Sequence, residues 1–191
     1  MPNWCTNVVN IIFSTKEEAL AFIEANRVAN SHGDEVPFTP HRYVPMPSEL
    51  RGTMAGSYGR GEPEKQKALE ERQAELTAKH GHKDWYDWSN ANWGSKWDTN
   101  TNTVEVEHWE ETVTYRFDTA WAPYSDEVYA AMSKEFPTAT IAMSYDEPGM
   151  DFGGVIIWRN GEIVDSQEGG SRASTWEDAA NWMVESGVAD E

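Results

Sequence analysis

Thr103-Val-Glu-Val-Glu-His-Trp109-Glu-Glu-Thr112-Val-Thr-Tyr-Arg-Phe-Asp118 is the stretch that decides the fold. Val104, Val106 and His108 alternate with Glu105, Glu107 and Trp109; Val113, Tyr115 and Phe117 then alternate with Thr114 and Arg116. A period of two with one apolar side is the pattern of a strand that has one face in a core and one in water. Two such runs joined at Glu110-Glu111 predict an antiparallel hairpin. Arg116 is expected opposite Glu105 or Glu107 as a cross-strand pair.

Working outward, Cys5 to Phe13 is rich in Val, Ile and Phe and predicts a buried strand. Ser14-Thr15-Lys16-Glu17 has capping-box spacing and opens a helix to about Asn26, with Ala19, Leu20, Phe22 and Ile23 on one face. On the other side of the hairpin, Ser125 is a good N-cap for a helix whose stripe is Val128, Tyr129, Met132 and Phe136, stopped by Pro137. A strand follows over 138–145, with Ile141, Met143 and Tyr145 on one face. The order β-α-β-β-α-β predicts an α+β chain with a ferredoxin-like (split βαβ) antiparallel sheet, both helices on one face. A long insertion, residues 28–101, follows the first helix. Arg159-Asn160-Gly161-Glu162 is a type I′ hairpin signal, so residues 150–191 add an extra C-terminal hairpin plus helix. Ser174-Thr175-Trp176-Glu177 predicts that helix's start, Ala179, Ala180, Trp182 and Met183 its apolar face, and Gly187 its end. The whole, 1–191, is expected to form a single domain.

The insertion has three parts. Pro37, Pro40, Pro45 and Pro47 break regular structure, with an edge strand expected within 38–46; Gly52, Gly56, Gly59 and Gly61 match no phosphate-binding loop. Pro63 opens a charged helix to His80 with a thin stripe of Ala68, Leu69 and Leu76. His80-Gly81-His82 lacks the partner ligands a metal site needs and reads as a solvated helix end. Last comes Asp84 to Asp98, which packs Trp85, Trp88, Trp93 and Trp97 among Asp and Asn side chains. A short helix showing Trp85, Trp88 and Asn92 on one face, ended by Gly94, fits this spacing. Indoles this dense make either a lid on the core or a recognition surface.

The totals narrow the function classes. With 15 Lys and Arg against 33 Asp and Glu, the formal net charge is −18, which excludes the basic footprint of a nucleic-acid binder. A partner with a basic surface, or simple solubility, suits that charge. One cysteine, Cys5, leaves no intrachain disulfide and fits a reducing compartment, as a buried small side chain or a reactive thiol. The opening Met1-Pro2-Asn3-Trp4 has no signal-peptide character and no apolar run is long enough for a bilayer, so a cytoplasmic protein is expected.

Five stretches carry a resemblance: Pro2-Asn3-Trp4-Cys5-Thr6-Asn7, Pro45-Met46-Pro47, Asn92-Trp93-Gly94-Ser95-Lys96-Trp97-Asp98, Thr119-Ala120-Trp121-Ala122-Pro123 and Tyr145-Asp146-Glu147-Pro148-Gly149. In combination they resemble a family of small bacteriophage and conjugative-plasmid proteins with a ferredoxin-like domain, the YubB type. The resemblance implies the fold reached above and a mobile-element origin inside a bacterial host. It implies no activity. The helix at 63–80 and the acidic tail have no counterpart in it.

Three functional readings follow. In the first, the chain is a non-catalytic interaction protein that binds and inhibits a host protein with a basic surface, in the manner of a nucleic-acid mimic acting on a defence component. Its partner-binding residues are Trp85, Trp88, Trp93, Trp97, Trp121, Glu162, Asp165, Glu168, Glu177 and Asp178. Residues 141–191 hold eleven acids against Arg159 and Arg172. In the second, Asp146, Glu147 and Asp151, with Asp118, hold a divalent cation for hydrolysis, although their spacing matches no metal loop. In the third, Trp4, Trp93, Trp97 and Trp121 line a pocket for a nucleobase or cation. No cofactor motif is present, His108 has no catalytic partner in sequence, and no catalytic residue is assigned.

Overall fold

The computed structural model describes residues 2–59, 61–100 and 102–185. Its first unit is β1 (Trp4–Ile12) followed by α1 (Lys16–Asn26). Thr15, not Ser14, caps that helix, its hydroxyl accepting from the Glu18 N–H at 3.3 Å. Ala19 and Phe22 are buried but Leu20 is half exposed, so the apolar stripe is narrower than its spacing predicts.

The insertion begins with a two-stranded ribbon, β2 (Val28–Ala29) and β3 (Glu35–Val36). The edge strand expected within 38–46 is instead a helical turn, α2 (Pro40–Tyr43). Thr39 accepts from the His41 N–H at 3.0 Å and Pro40 occupies the first helical position, a local pair that outweighs the β-prone residues around it. The charged helix α3 (Pro63–His80) is as predicted and buries Leu76 alone among its residues; left-handed Gly81, φ 77°, closes it. α4 (Trp85–Asn92) is capped by Asp84, which accepts from the Asp87 N–H at 2.8 Å, and Gly94 turns the chain with φ 73°.

The hairpin forms as β4 (Val104–Trp109) and β5 (Thr112–Ala120), with Glu105 opposite Arg116. Arg116 nonetheless pairs elsewhere, with Glu177 at 2.8 Å, because Glu177 stands over the sheet face. α5 (Asp126–Glu135) follows, and the hydroxyl of Ser125 donates to the Asn92 carbonyl at 2.7 Å instead of capping. Then come β6 (Thr140–Glu147), β7 (Phe152–Arg159), β8 (Glu162–Gly169) and α6 (Ala173–Glu185). Asn160 and Gly161, φ 47° and 88°, make the predicted tight turn between β7 and β8. α6 starts at Ala173, before the expected Ser174 cap, and the expected end at Gly187 lies outside the described residues.

One antiparallel sheet results, ordered β4-β5-β1-β6-β7-β8. Its first four strands have the ferredoxin-like order, and β7 and β8 extend it past β6. Among the described residues no strand pairs with the outer edges of β4 and β8. On one face lie Val9, Ile11, Phe22, Tyr115, Tyr129, Met132, Ile141 and Trp158, with Tyr129 stacked on Trp158 at 4.8 Å between ring centroids. α6 covers part of the opposite face, packing Trp176, Ala180 and Met183 on Ala142, Val155 and Ile157. That second layer explains why β6 is buried along its whole length. It also explains Gly153, where an added Cβ would stand 2.5 Å from Trp176 Nε1.

Candidate binding sites around the tryptophan-rich segment

The tryptophan-rich segment divides into core and surface. Trp93 is 1% exposed, donates from Nε1 to the Val44 carbonyl at 2.8 Å, and meets Trp88 edge-on at 5.2 Å. Trp88 is buried as well. Neither presents an indole to a macromolecular partner, which corrects their placing among the partner-binding residues. The cause is α4, which turns both rings toward the insertion's junction with the sheet.

Trp97 lies past the helix and is 37% exposed. It sits between Trp4, at 6.1 Å, and Trp121, stacked at 6.5 Å, both also on the surface. Lys96 folds its ammonium over Trp97 at 4.4 Å, with the rings of Tyr86 and Trp121 at 5.6 and 6.0 Å. A cation at these distances is attracted by the electron-rich ring faces.

A cavity of about 220 Å³ opens beside this group. Trp85, Trp97 and the buried Trp93 and Met46 line it, and the more exposed Arg51, Lys96 and His32 form its rim. Asp98 also lines it, but its oxygens accept from the Ser31 N–H (2.7 Å), the Thr39 hydroxyl (2.6 Å) and the Thr99 N–H (2.8 Å). The Thr99 hydroxyl in turn donates to the Phe38 carbonyl, so Asp98 ties the ribbon and α2 to the segment after α4. Arg51 lies 2.6 Å from His41 Nε2, and burial together with that cation holds the His41 pKa below its usual range. The four-indole pocket of Trp4, Trp93, Trp97 and Trp121 does not form. Trp93 lines this cavity, Trp4 lines a second one beside Asp118 and Tyr124, and Trp97 is the wall between them. Lys96 could be suspected from its place beside Trp97; nothing in the sequence around Arg51 marks it.

The five stretches that carried the resemblance meet at this end of the sheet. The Trp121 N–H donates to the Asn3 carbonyl at 2.9 Å, and the Ser125 N–H to the Trp93 carbonyl at 2.7 Å. Ser95 Oγ bonds the Ala120 N–H at 3.2 Å. Gly149 packs so closely on Asn3 that a Cβ there would lie 2.6 Å from its side-chain nitrogen. Met46 lines the cavity with Trp93, whose Nε1 bonds the nearby Val44 carbonyl.

The carboxylates proposed for a cation are otherwise engaged. Asp146 accepts from the Ser171 hydroxyl (2.9 Å) and the Arg172 N–H (2.7 Å), fastening the start of α6. Glu147 accepts from the Gly149 and Met150 N–H groups at 2.8 and 2.7 Å, so it builds the turn after β6. Asp151 accepts from the Ser171 N–H at 3.0 Å, and Asp118 from the Thr6 hydroxyl at 2.9 Å. Among the described residues no three His, Cys, Asp or Glu side chains converge as a metal site. His80 and His82 point to different partners, Glu49 at 2.7 Å and Asp87 at 3.2 Å. Cys5 is buried, and burial pushes its thiol up to about 12. His108, half-buried on edge strand β4, has no hydrogen-bonding partner for Nε2 among the described residues.

Charge is unevenly shared. Residues 102–191 hold four Lys and Arg against nineteen Asp and Glu, net −15, whereas residues 1–101 hold eleven against fourteen, net −3. On β8, Glu162 and Glu168 are exposed and Asp165 half-buried; on α6, Asp178 is exposed. None of these four forms an ion pair among the described residues, while Glu177 is held by Arg116. Glu168 accepts from the Tyr145 hydroxyl at 3.0 Å.

No curated protein matches the chain. The chain is similar to the crystal structure of a protein api92 from Yersinia pseudotuberculosis, with 13% identity over 90% of this chain and 99% of that one, at a TM-score of 0.50. Identity that low speaks for the fold alone. No helix among the described residues is long and apolar enough to cross a membrane. Residues 92–184, from the last residue of α4 through nearly all of α6, match the family described as the ferredoxin-like domain in Api92-like protein.

Proposed function

We propose that this chain is a non-catalytic binding protein of phage or plasmid origin that acts in the host cytoplasm by occupying a basic surface on a host protein. The observation that carries the reading is the charge split. Fifteen net negative charges belong to residues 102–191, and Glu162 and Glu168 of β8 and Asp178 of α6 stand in solvent without an ion pair among the described residues. Such a surface speeds encounter with a positive groove and fixes orientation on it, because the potentials are complementary. A groove built for phosphates is the natural receptor, which makes a nucleic-acid-handling protein the partner class. The Trp4, Trp97 and Trp121 surface supplies apolar contact at a distance from the acidic strand.

The test uses the full chain as bait in host lysate at low and high salt, beside a variant carrying E162K, D165K and E168K. Captured proteins should be released by salt and lost in the charge-reversed variant, while a W97A bait retains them in reduced amount. Capture indifferent to salt and to charge reversal would refute the electrostatic reading.

A further inference from the structure

We infer that the cavity between Trp85, Trp93 and Trp97 is a binding site for a small planar aromatic molecule bearing an anionic group. Trp85 and Trp97 supply apolar ring surface, buried Trp93 backs the cavity, and about 220 Å³ admits one ring system while leaving the rest of a ligand at the mouth. The mouth is where charge selects. In a chain with 33 acids, Arg51 and Lys96 both stand at this rim, and neither forms an ion pair with a carboxylate among the described residues. Lys96 is held over Trp97 at 4.4 Å, so its ammonium is already placed beside the ring slot. Arg51 adjoins His41, whose Nδ1 accepts from the Met46 N–H at 3.0 Å; no carboxylate among the described residues pairs with that guanidinium, so its charge remains for a ligand. Asp98 does not take either cation, since its oxygens are filled by the Ser31, Thr39 and Thr99 donors. The rim and walls thus match a ring that enters and an anion that stays outside. This site lies in the nearly neutral half of the chain, away from β8, and stands independently of the electrostatic partner reading.

Two sources share this chemistry, a nucleoside monophosphate and an aromatic carboxylic acid. The experiment titrates the full chain with adenosine 5′-monophosphate, with indole-3-acetate, and with the uncharged probes adenosine and N-acetyltryptophanamide. Heat is read by calorimetry and the indole N–H signals by NMR, the latter assigned with W85F and W97F variants. At least one anionic probe should bind at millimolar concentration or tighter and shift the Trp85, Trp93 and Trp97 signals. Its uncharged counterpart should bind at least tenfold more weakly. R51Q and K96Q, both rim substitutions, should each weaken the anion severalfold at low salt without altering the circular dichroism. The stronger of the two anions names the source. Equal binding of N-acetyltryptophanamide would overturn the anionic requirement and mark the cavity as a socket for a partner's aromatic side chain. Shifts confined to Trp4 and Trp121, or no binding by any probe, would overturn the site.

Discussion

Replacing Trp93 tests the division of the indole cluster into framework and surface. The ring is 1% exposed, touches Trp88 edge-on at 5.2 Å and donates to Val44 at 2.8 Å. Truncating a buried tryptophan to alanine costs ~3–5 kcal/mol from lost transfer energy and cavity formation. The carbonyl left without its donor adds roughly 1 kcal/mol, the low end for an orphaned acceptor, because Val44 is only partly buried and water can reach it. W93A should therefore lose about 4–6 kcal/mol, a fall in Tm of roughly 10–20 °C for a chain of this size. W93F keeps most of the ring, loses the donor, and should cost about half as much. Trp97 is 37% exposed, and W97A gives up its packing against Trp4 and Trp121 as well as its contact with Lys96, roughly 2–3 kcal/mol and well short of the loss at Trp93. Urea denaturation monitored by far-ultraviolet circular dichroism measures all three. Equal small losses for W93A and W97A would refute the claim that Trp93 belongs to the core.

Further outcomes follow from other contacts. D146A removes the acceptor of the Ser171 and Arg172 bonds and should cost about 2 kcal/mol, as hydrogen bonds to a charged group do, with faster amide exchange around 171–176 and none in β1 or β5. G153A should disturb both α6 and the β6–β7 pairing, since the new methyl group would collide with Trp176 and stand 2.8 Å from the Tyr145 carbonyl; lost protection in α6 and around 145 and 153, with an intact α1 and α5, is the expected exchange pattern. With its pKa near 12, Cys5 holds about one part in ten thousand as thiolate at pH 8, so alkylation of the folded chain should be negligible and should accelerate on unfolding. His41 has a folded pKa below its ordinary value of 6.5, so the unfolded chain takes up the proton first and this residue's contribution to stability falls as pH drops through 6.5. The pH dependence of the urea midpoint between pH 7 and 5 should be shallower in H41Q; an unchanged slope would sink this assignment.

The sheet was legible because its period-two runs are long and its hairpin turns carry their own chemistry, Asn160-Gly161 above all. Helices α1, α3 and α5 were legible from prolines and apolar stripes, although the capping side chains expected at Ser14 and Ser125 do not cap. The insertion was not, beyond α3 and α4. Thr39-Pro40 is a cap-and-first-turn pair inside residues that otherwise favour a strand, and the local hydrogen bond decides it. The second layer escaped in part because α6 packs on Ala142, on a face that a four-stranded sheet would leave wet, and on Val155 of the added strand β7. The site was half legible. Indole density pointed to the right segment, but whether a given ring faces inward depends on the turn at Gly94 and on contacts with Val44 and Pro123, all distant in sequence. Asp146 and Glu147 looked like ligands because turn acceptors and metal ligands are the same side chains; only their donors distinguish them.

The outer side of β8 has a consequence for how one copy meets another. Two such strands brought side by side in antiparallel register about Asp165 would set Glu162 against Glu168 at both ends and Asp165 against itself in the middle. Each like-charged pair, ~5 Å apart in water, repels by about 0.8 kcal/mol. Three of them oppose the pairing by roughly 2.5 kcal/mol before any backbone bond forms, and the penalty shrinks as salt rises. A second β8 is therefore discouraged from pairing at this edge, and the protein kept at low ionic strength should resist association through β8 more than at high salt.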